Sequence, residues 1–284
     1  MELKNLILFL FIIIYLLILI IHIYFSILNY KLTHLHTYLS FMKVKSRINN
    51  INKKKVVFLF SYDYDIIPDY GKYSIRLLQE YCKNYSNYHI IFKNHYPNTK
   101  ISPYWLRVFD LIELSKTYPE DSIFIYLDLD TCINPKYFNL DIEQLLDTID
   151  YYENNKYSIY IGRDVTMSEL LNTGVIFIRN NNRCREILNQ WIDRYDPSTW
   201  NKKNNKWNCI TKEKKQCNWA RDNYEQGELK NLYMKNNKYA NDIKILHSSI
   251  CSNQFIQFDS FIYHFMGRGR KRIESFKYLY NQMK

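Results

Sequence analysis

The chain has 284 residues, with 39 Lys+Arg against 28 Asp+Glu and a formal charge of +11. Apolar residues make up 47% and aromatics 17%, which excludes a largely disordered chain; 6 Gly and 6 Pro exclude collagen-like and low-complexity classes. One domain of some size fits this length, with room for an appendage.

The charge is unevenly placed. Residues 1–55 hold 8 Lys+Arg against Glu2 alone, and residues 267–284 hold 6 against Glu274, leaving 25 bases and 26 acids between them. A surplus confined to the ends reads as a solvated stalk and tail, not as the basic patch of a nucleic-acid-binding body, so no nucleic-acid partner is expected. Residues 6–28, LILFLFIIIYLLILIIHIYFSIL, carry no Asp, Glu, Lys or Arg. As a helix they would extend about 34 Å, enough for the ~30 Å hydrocarbon core. No small-residue cleavage site follows, so residues 1–28 are expected to be an uncleaved transmembrane anchor, with His22 neutral and interfacial. Residues 29–55 read as a basic stem. Lys31, Lys43, Lys45 and Arg47, close behind the span, favour a cytosolic body by the positive-inside rule.

The body, residues 56–284, alternates strands and helices. The apolar run VVFLFSYD after Lys55 predicts a buried strand, 72–84 a helix and 88–94 a second strand. Residues 104–117 place Trp105, Val108, Leu111, Ile112 and Leu114 on one helical face. Residues 122–130 form the strongest apolar strand, followed by a helix over 141–153, strands over 158–164 and 174–180, and a helix over 183–195. Residues 197–222 read as a Lys/Asn-rich loop, 224–236 as a helix, and 243–249 and 261–267 as strands. This order predicts an α/β sandwich with a mainly parallel sheet and no second domain. The six cysteines match no zinc spacing; Cys209 and Cys217, flanking the Lys-rich loop, are the expected pair in an oxidising compartment.

The informative motif is IYLDLDTCINP, with Asp128 and Asp130 two apart at a strand end. A period of two points both carboxylates to one side, at the carboxyl edge where open α/β sheets collect ligands. Two acids there suggest a hard divalent cation and a diphosphate; hydrated acids in a polar turn are the plainer alternative. Asn172, Thr173 and Gly174 precede a strand, where the glycine would let backbone approach a ligand, or they form a turn. HFMGRGR supplies His264 as a third ligand, favouring a Mn²⁺-type ion, and Gly267, Arg268, Arg270 and Lys271 as a diphosphate clamp, or a solvated basic tail.

In this order, DxD, NTG, an acid–Gln pair on a helix and HFxG resemble the nucleotide-sugar glycosyltransferases of GT-A fold. Family 34, the galactosyl-, mannosyl- and xylosyltransferases, is most similar, with family 8 likeness in His264, Gly267 and Arg270. The resemblance spans about 56–270. It implies a single-domain nucleotide-diphospho-sugar transferase sandwich behind an N-terminal transmembrane helix. It also implies Mn²⁺ or Mg²⁺ on Asp128, Asp130 and His264, and a UDP- or GDP-sugar donor.

By the same resemblance Arg107 reaches the sugar nucleotide, Asp164 lies near the donor sugar, and Asn172, Thr173 and Gly174 form the acceptor and donor loop. Glu225 and Gln226 stand for an Asp–Gln pair beneath the donor, and Ser61, Tyr62 and Asp63 sit where base and ribose bind. Glu225 replaces the usual Asp, and Arg270 stands where family 8 has Lys. The expected reaction moves a hexose or pentose to a glycan or protein hydroxyl with retention, with the body lumenal in Golgi or ER. Two rivals remain: a phosphatase of haloacid dehalogenase type and a non-catalytic membrane-anchored binding module. The first expects Thr or Val where Cys132 stands and places its motif on the first strand of the core, whereas two strands precede it here.

Overall fold

In the computed structural model the chain divides into a unit Met1–Ile48 and a body Asn49–Lys284. The structure describes residues 16–21, 55–97, 99–164, 171–203, 206–210, 221–235, 237–253, 259–267 and 269–283. Of the expected anchor only 16–21 are described; they are helical and exposed, and the stem lies outside the described residues apart from Lys55. Among the described residues no helix is long and apolar enough to cross a membrane.

The body is built on a six-stranded sheet of order β2-β1-β3-β6-β5-β9. Its strands are β1 (Val56–Tyr62), β2 (Tyr88–Asn94), β3 (Ile123–Leu127), β5 (Ile159–Gly162), β6 (Asn172–Arg179) and β9 (Ile243–Leu246). Five residues of β1, all five of β3 and all eight of β6 are buried, because both faces of the sheet are covered. Alternation survives inside these apolar runs. Val57, Leu59, Ile176 and Ile178 join one core cluster with Trp105, Leu111, Ile187 and Trp191. Those come from α2 (Pro103–Thr117) and α4 (Asn182–Ile192). Phe58 on the opposite face meets Tyr81 of α1 (Asp69–Cys82), and Arg179 meets Asp147 and Asp150 of α3 (Ile142–Glu153). The result is a three-layer α/β/α sandwich.

Helix ends follow local chemistry. Asp141 caps α3 by accepting from Gln144 N, and Asn154 ends it at φ 48°, a left-handed position that Asn tolerates. Asn181 caps α4 by accepting from Cys184 N at 2.7 Å, and Pro103 opens α2 where its missing N–H costs nothing.

The sheet departs from the expected parallel arrangement at its centre. β1 runs parallel to β2 and β3, and β5 to β9, but β6 is antiparallel to both β3 and β5. The reason is connection length. Only residues 163–171 separate β5 from β6, fewer than the dozen or so that a parallel crossover needs. The reversal places the start of β6 beside the end of β3, pairing Leu127 with Val175. In a parallel sheet Asn172, Thr173 and Gly174 would lie at the opposite edge from Asp128.

A second sheet of order β10-β11-β4 crosses that edge. It comprises β4 (Thr131–Ile133), β10 (Cys251–Asn253) and β11 (Ile262–His264), with His264 paired to Thr131. The expected loop over 197–222 contains a hairpin, β7 (Trp200–Lys203) and β8 (Lys206–Cys209), which alternates half-buried and exposed residues too weakly to read from a Lys/Asn-rich sequence. Cys209 is disulfide-bonded; its expected partner Cys217 lies outside the described residues. Cys82, Cys132, Cys184 and Cys251 are free. Helices α5 (Glu225–Lys235), α6 (Asn237–Ala240) and α7 (Gly269–Gln282) complete the body.

Arg179 is a buried cation, away from the sheet's carboxyl edge, that ties two acids on a neighbouring helix. It is 3% exposed and bonds Asp147 at 2.8 Å, Asp150 at 2.9 Å and the Tyr160 hydroxyl at 3.0 Å. Removing one partner from a buried pair strands the other charge. Arg179→Ala is expected to lower unfolding stability by about 3 kcal/mol in a denaturant titration; a loss below ~1 kcal/mol would show the cluster to be solvent-screened.

Candidate functional site

The peptide after β3 does not continue the strand. Asp128 N donates to Gly174 O at 2.9 Å, Thr131 N donates to Asp128 O at 3.0 Å, and the chain turns through Leu129 and Asp130 into β4. The two carboxylates therefore converge through a turn, which corrects the expected strand pleat. Phe265 N donates to Asp130 O at 2.8 Å, which fixes the end of β11 and brings His264 to the same point.

His264 Nε2 lies 3.2 Å from Asp130 Oδ1 and 3.7 Å from Asp128 Oδ2. The remaining oxygen of each carboxylate is held by an arginine. Arg107 Nη2 is 3.0 Å from Asp128 Oδ1, which also accepts from the Tyr126 hydroxyl at 2.6 Å. Arg272 Nη1 is 3.3 Å from Asp130 Oδ2. One oxygen per carboxylate is thus anchored outward and one faces the imidazole. One ligand atom from each of the three residues falls within 4.8 Å of the others. Two carboxylate oxygens, each carboxylate fixed from behind by an arginine, and one imidazole nitrogen suit a Mn²⁺-type cation.

Charge balance without a cation follows from the same contacts. Burial would raise Asp130, but His264 and Arg272 outweigh it and hold the carboxyl below its usual range. Burial would lower His264, but Asp130 and Asp128 hold it above 6.5. Burial would lower Arg107; Asp128, Tyr126 and Glu225 keep its guanidinium above its ordinary value.

Gly174 is required for this packing, for a reason other than the close ligand approach expected from sequence. A Cβ built there would lie 2.1 Å from His264 Cε1. The glycine leaves room for the imidazole. At Gly267 the requirement is conformational: its φ is +68°, and a Cβ placed there would meet nothing within 4 Å.

A second polar group adjoins the first through Thr173. Arg107 Nη1 donates to Thr173 O at 2.7 Å and lies 3.5 Å from Glu225 Oε1. The Thr173 hydroxyl donates to Glu225 Oε1 at 2.9 Å, and Thr173 N donates to Gln226 Oε1 at 3.1 Å. Asp164 Oδ2 accepts from Asn172 Nδ2 at 3.0 Å and Gln226 Nε2 at 3.5 Å. Glu225 and Gln226 open α5, pinned where Trp191 Nε1 donates to Glu225 O at 2.8 Å. Both are buried, and Glu225 Oε2 has no protein partner. Burial holds the Glu225 carboxyl above 4.5 against the pull of Arg107 and Thr173.

Asp128, Asp130, His264, Arg107, Asn172, Thr173, Gly174, Asp164, Glu225 and Gln226 are therefore brought together. The β1–β3 register ends at Leu59 and Tyr126, two residues before Ser61 and Asp128. Ser61 Oγ and Asp63 Oδ1 are buried without a protein partner, and Asp63 Oδ2 is 3.8 Å from Lys202 Nζ. Tyr62 stacks on Tyr64 at 6.5 Å. Arg268 and the Arg270 side chain lie outside the described residues.

Sequence reasoning missed Tyr126, Arg272, Tyr64 and Tyr70. Tyr126 carried a usable signal, two residues before Asp128 on the same strand face. The Tyr64 hydroxyl is pushed up to about 12 by burial and by Tyr70, Asp128 and Asp130.

Known proteins share sequence pattern and fold with this chain. A family model described as the galactosyl transferase GMA12/MNN10 family matches residues 52–278. A crystal structure of a glycosyltransferase involved in glycosylation of the major capsid of PBCV-1 superposes with a TM-score of 0.53. Its identity is 18%, over 79% of this chain and 99% of that one. An active-site mutant of LgtC gives 0.42 at 13% identity over 80% and 95%. Mouse xyloside xylosyltransferase 1 gives 0.40 at 11% over 74% and 96%. No protein with a curated description matches in sequence.

Two outcomes follow. Gly174→Ala is expected to displace the imidazole, weakening Mn²⁺ binding by about tenfold or more in a calorimetric titration; unchanged binding would mean the ring relocates without consequence. Glu225 has a raised folded pKa, so its ionisation costs stability: the contribution is full below 4.5 and is lost as pH rises through the folded value. Glu225→Gln should therefore unfold near the wild-type temperature at acid pH and progressively above it toward pH ~8 in scanning calorimetry. A gap that widens toward acid instead would reverse that sign.

Proposed function

The chain belongs to the galactosyl transferase GMA12/MNN10 family and is an enzyme that transfers sugars, and on that premise we propose that it moves a hexose or pentose from a UDP- or GDP-sugar to a glycan or protein hydroxyl, using a divalent cation held by Asp128, Asp130 and His264. The family membership sets aside the phosphatase and the non-catalytic module. The observation that carries the cation is the division of labour at each carboxylate: one oxygen on an arginine, the other facing His264 Nε2.

When bound, such a cation supplies Lewis-acid neutralisation of the charge on a departing diphosphate. The chain's own residues do the positioning. Arg107 links the Asp128 end to the Thr173 backbone, so the cation side and the sugar side share one rigid strut. Asp164, Asn172 and Gln226 present amide and carboxylate groups that suit sugar hydroxyls, within a hydrogen-bonded set that fixes their direction. Ser61 Oγ and Asp63 Oδ1 offer buried, unsatisfied groups at the carboxyl end of β1 that suit the nucleoside. The family 34 and family 8 likeness supports retention of anomeric configuration, with Glu225 and Gln226 standing for the Asp–Gln pair beneath the donor.

The apolar residues 6–28 support single-pass membrane attachment. Golgi or ER placement rests on family habit, and a cytosolic body on the basic flank behind the span.

The test is a donor-hydrolysis screen of the full chain in detergent across UDP- and GDP-sugars. One donor should be consumed with Mn²⁺; turnover should stop with EDTA and return with Mn²⁺. Asp130→Asn should lower turnover by more than the roughly 10–100-fold that loss of an outer partner costs. Turnover indifferent to both EDTA and Asp130→Asn would remove the cation from the account.

A further inference from the structure

In the basic run GRGRKR the sequence points to Arg268, Arg270 and Lys271, yet the cation that reaches Asp130 is the next one along, Arg272. Arg272 lies in the first turns of α7, with a side chain 13% exposed and Nη1 3.3 Å from Asp130 Oδ2. Its guanidinium carbon sits 4.6 Å over the Tyr70 ring. Burial pushes the Tyr70 hydroxyl up, against the pull of the Arg272 charge. Tyr70 is on α1, packed against α7 where its ring stacks on Phe276 at 6.4 Å. Thus the Asp130 carboxylate is oriented from two helices that contribute no ligand of their own.

We propose that Arg272, seated on Tyr70, is a positioning residue for the cation site: it holds Asp130 Oδ2 so that Oδ1 faces His264 Nε2. The inference rests on the cation reading of the preceding subsection. Its physical basis is rotational. A carboxylate at a turn presents either oxygen, or both, to a cation. A planar guanidinium fixed by ring stacking selects one, whereas an ammonium on a flexible stem does not. Arg107 does the same for Asp128 from α2, with its carbon 4.6 Å over the Tyr126 ring. Each ligand carboxylate therefore has an arginine, and each arginine an aromatic ring beneath it. The two arms come from different faces of the sandwich.

Charge alone predicts the opposite of positioning. Deleting a cation beside a metal site relieves repulsion and tightens metal binding. The informative variants therefore keep every charge. Arg272→Lys retains the cation but loses the fork, and Tyr70→Leu removes only the ring and hydroxyl. Full-length wild type, both variants and Asp130→Asn are titrated with Mn²⁺ alone, read by electron paramagnetic resonance and by the shift in unfolding temperature that Mn²⁺ produces. Arg272→Lys and Tyr70→Leu should bind Mn²⁺ about 10–100-fold more weakly, with a changed resonance line shape, and Arg272→Lys should keep the wild-type metal-free unfolding temperature. Arg272→Lys should stay weak, with no rescue by charge. If both bind Mn²⁺ as wild type does while Asp130→Asn does not, the positioning role is overturned and the cation site stands. If wild type itself binds no better than Asp130→Asn, the cation reading fails and this inference falls with it. An Arg272→Lys protein whose metal-free unfolding temperature drops in parallel with its affinity would overturn the proposal and assign Arg272 to fold support instead.

Discussion

Two carboxylates held close to one another repel, and burial strengthens that repulsion. The carboxyl edge of this sheet is arranged around that constraint. Asp128 and Asp130 are side by side because β3 breaks into a turn. They are tolerated because Arg107, Arg272 and His264 surround them. No segment that supplies these cations is adjacent to the acids in sequence. Arg107 comes from the helix before β3, and His264 and Arg272 come from the last strand and last helix. The pair is thus a meeting point for three distant parts of the chain, and a divalent cation between the inward oxygens would add the positive charge that an anionic diphosphate balances.

The reversal of β6 is what gives this meeting point a second half. Antiparallel pairing with β3 carries Asn172, Thr173 and Gly174 to the acids, and the missing side chain of Gly174 admits the His264 ring. Arg107 then spans both halves, from Asp128 to Thr173 and Glu225. An enzyme that must hold a diphosphate at one end and a sugar at the other needs the two subsites fixed relative to each other. A single buried guanidinium with three partners does this at little entropic cost, since its own freedom is already lost to packing.

Much of this was legible in the residues. Continuous apolar runs located β1, β3 and β6, and the DxD, NTG and HFxG signatures singled out Asp128, Asp130, Asn172 to Gly174 and His264. Strand direction was not legible, because a strand buried on both faces carries no polar face to mark it; the short link from β5 to β6 was the available clue. The role of Gly174 was hidden for a related reason, since the ring it accommodates belongs to a residue far along the chain. Arg272 was hidden by helix phase: in GRGRKR four of six residues are cationic, three of them consecutive, and only the packing of α7 on α1 selects which one turns inward. The alternation of the hairpin over β7 and β8, four residues in each strand, was too short and too polar to separate it from loop.

The central claim is one of place. Crystals of the full chain grown with Mn²⁺ and a nucleoside diphosphate, measured at a wavelength where manganese scatters anomalously, test it directly. The account predicts one strong anomalous peak among Asp128, Asp130 and His264 Nε2, with the diphosphate on its open side and the outward oxygens still on Arg107 and Arg272. A diphosphate bound with no peak there, or a peak seated on other residues, would contradict it.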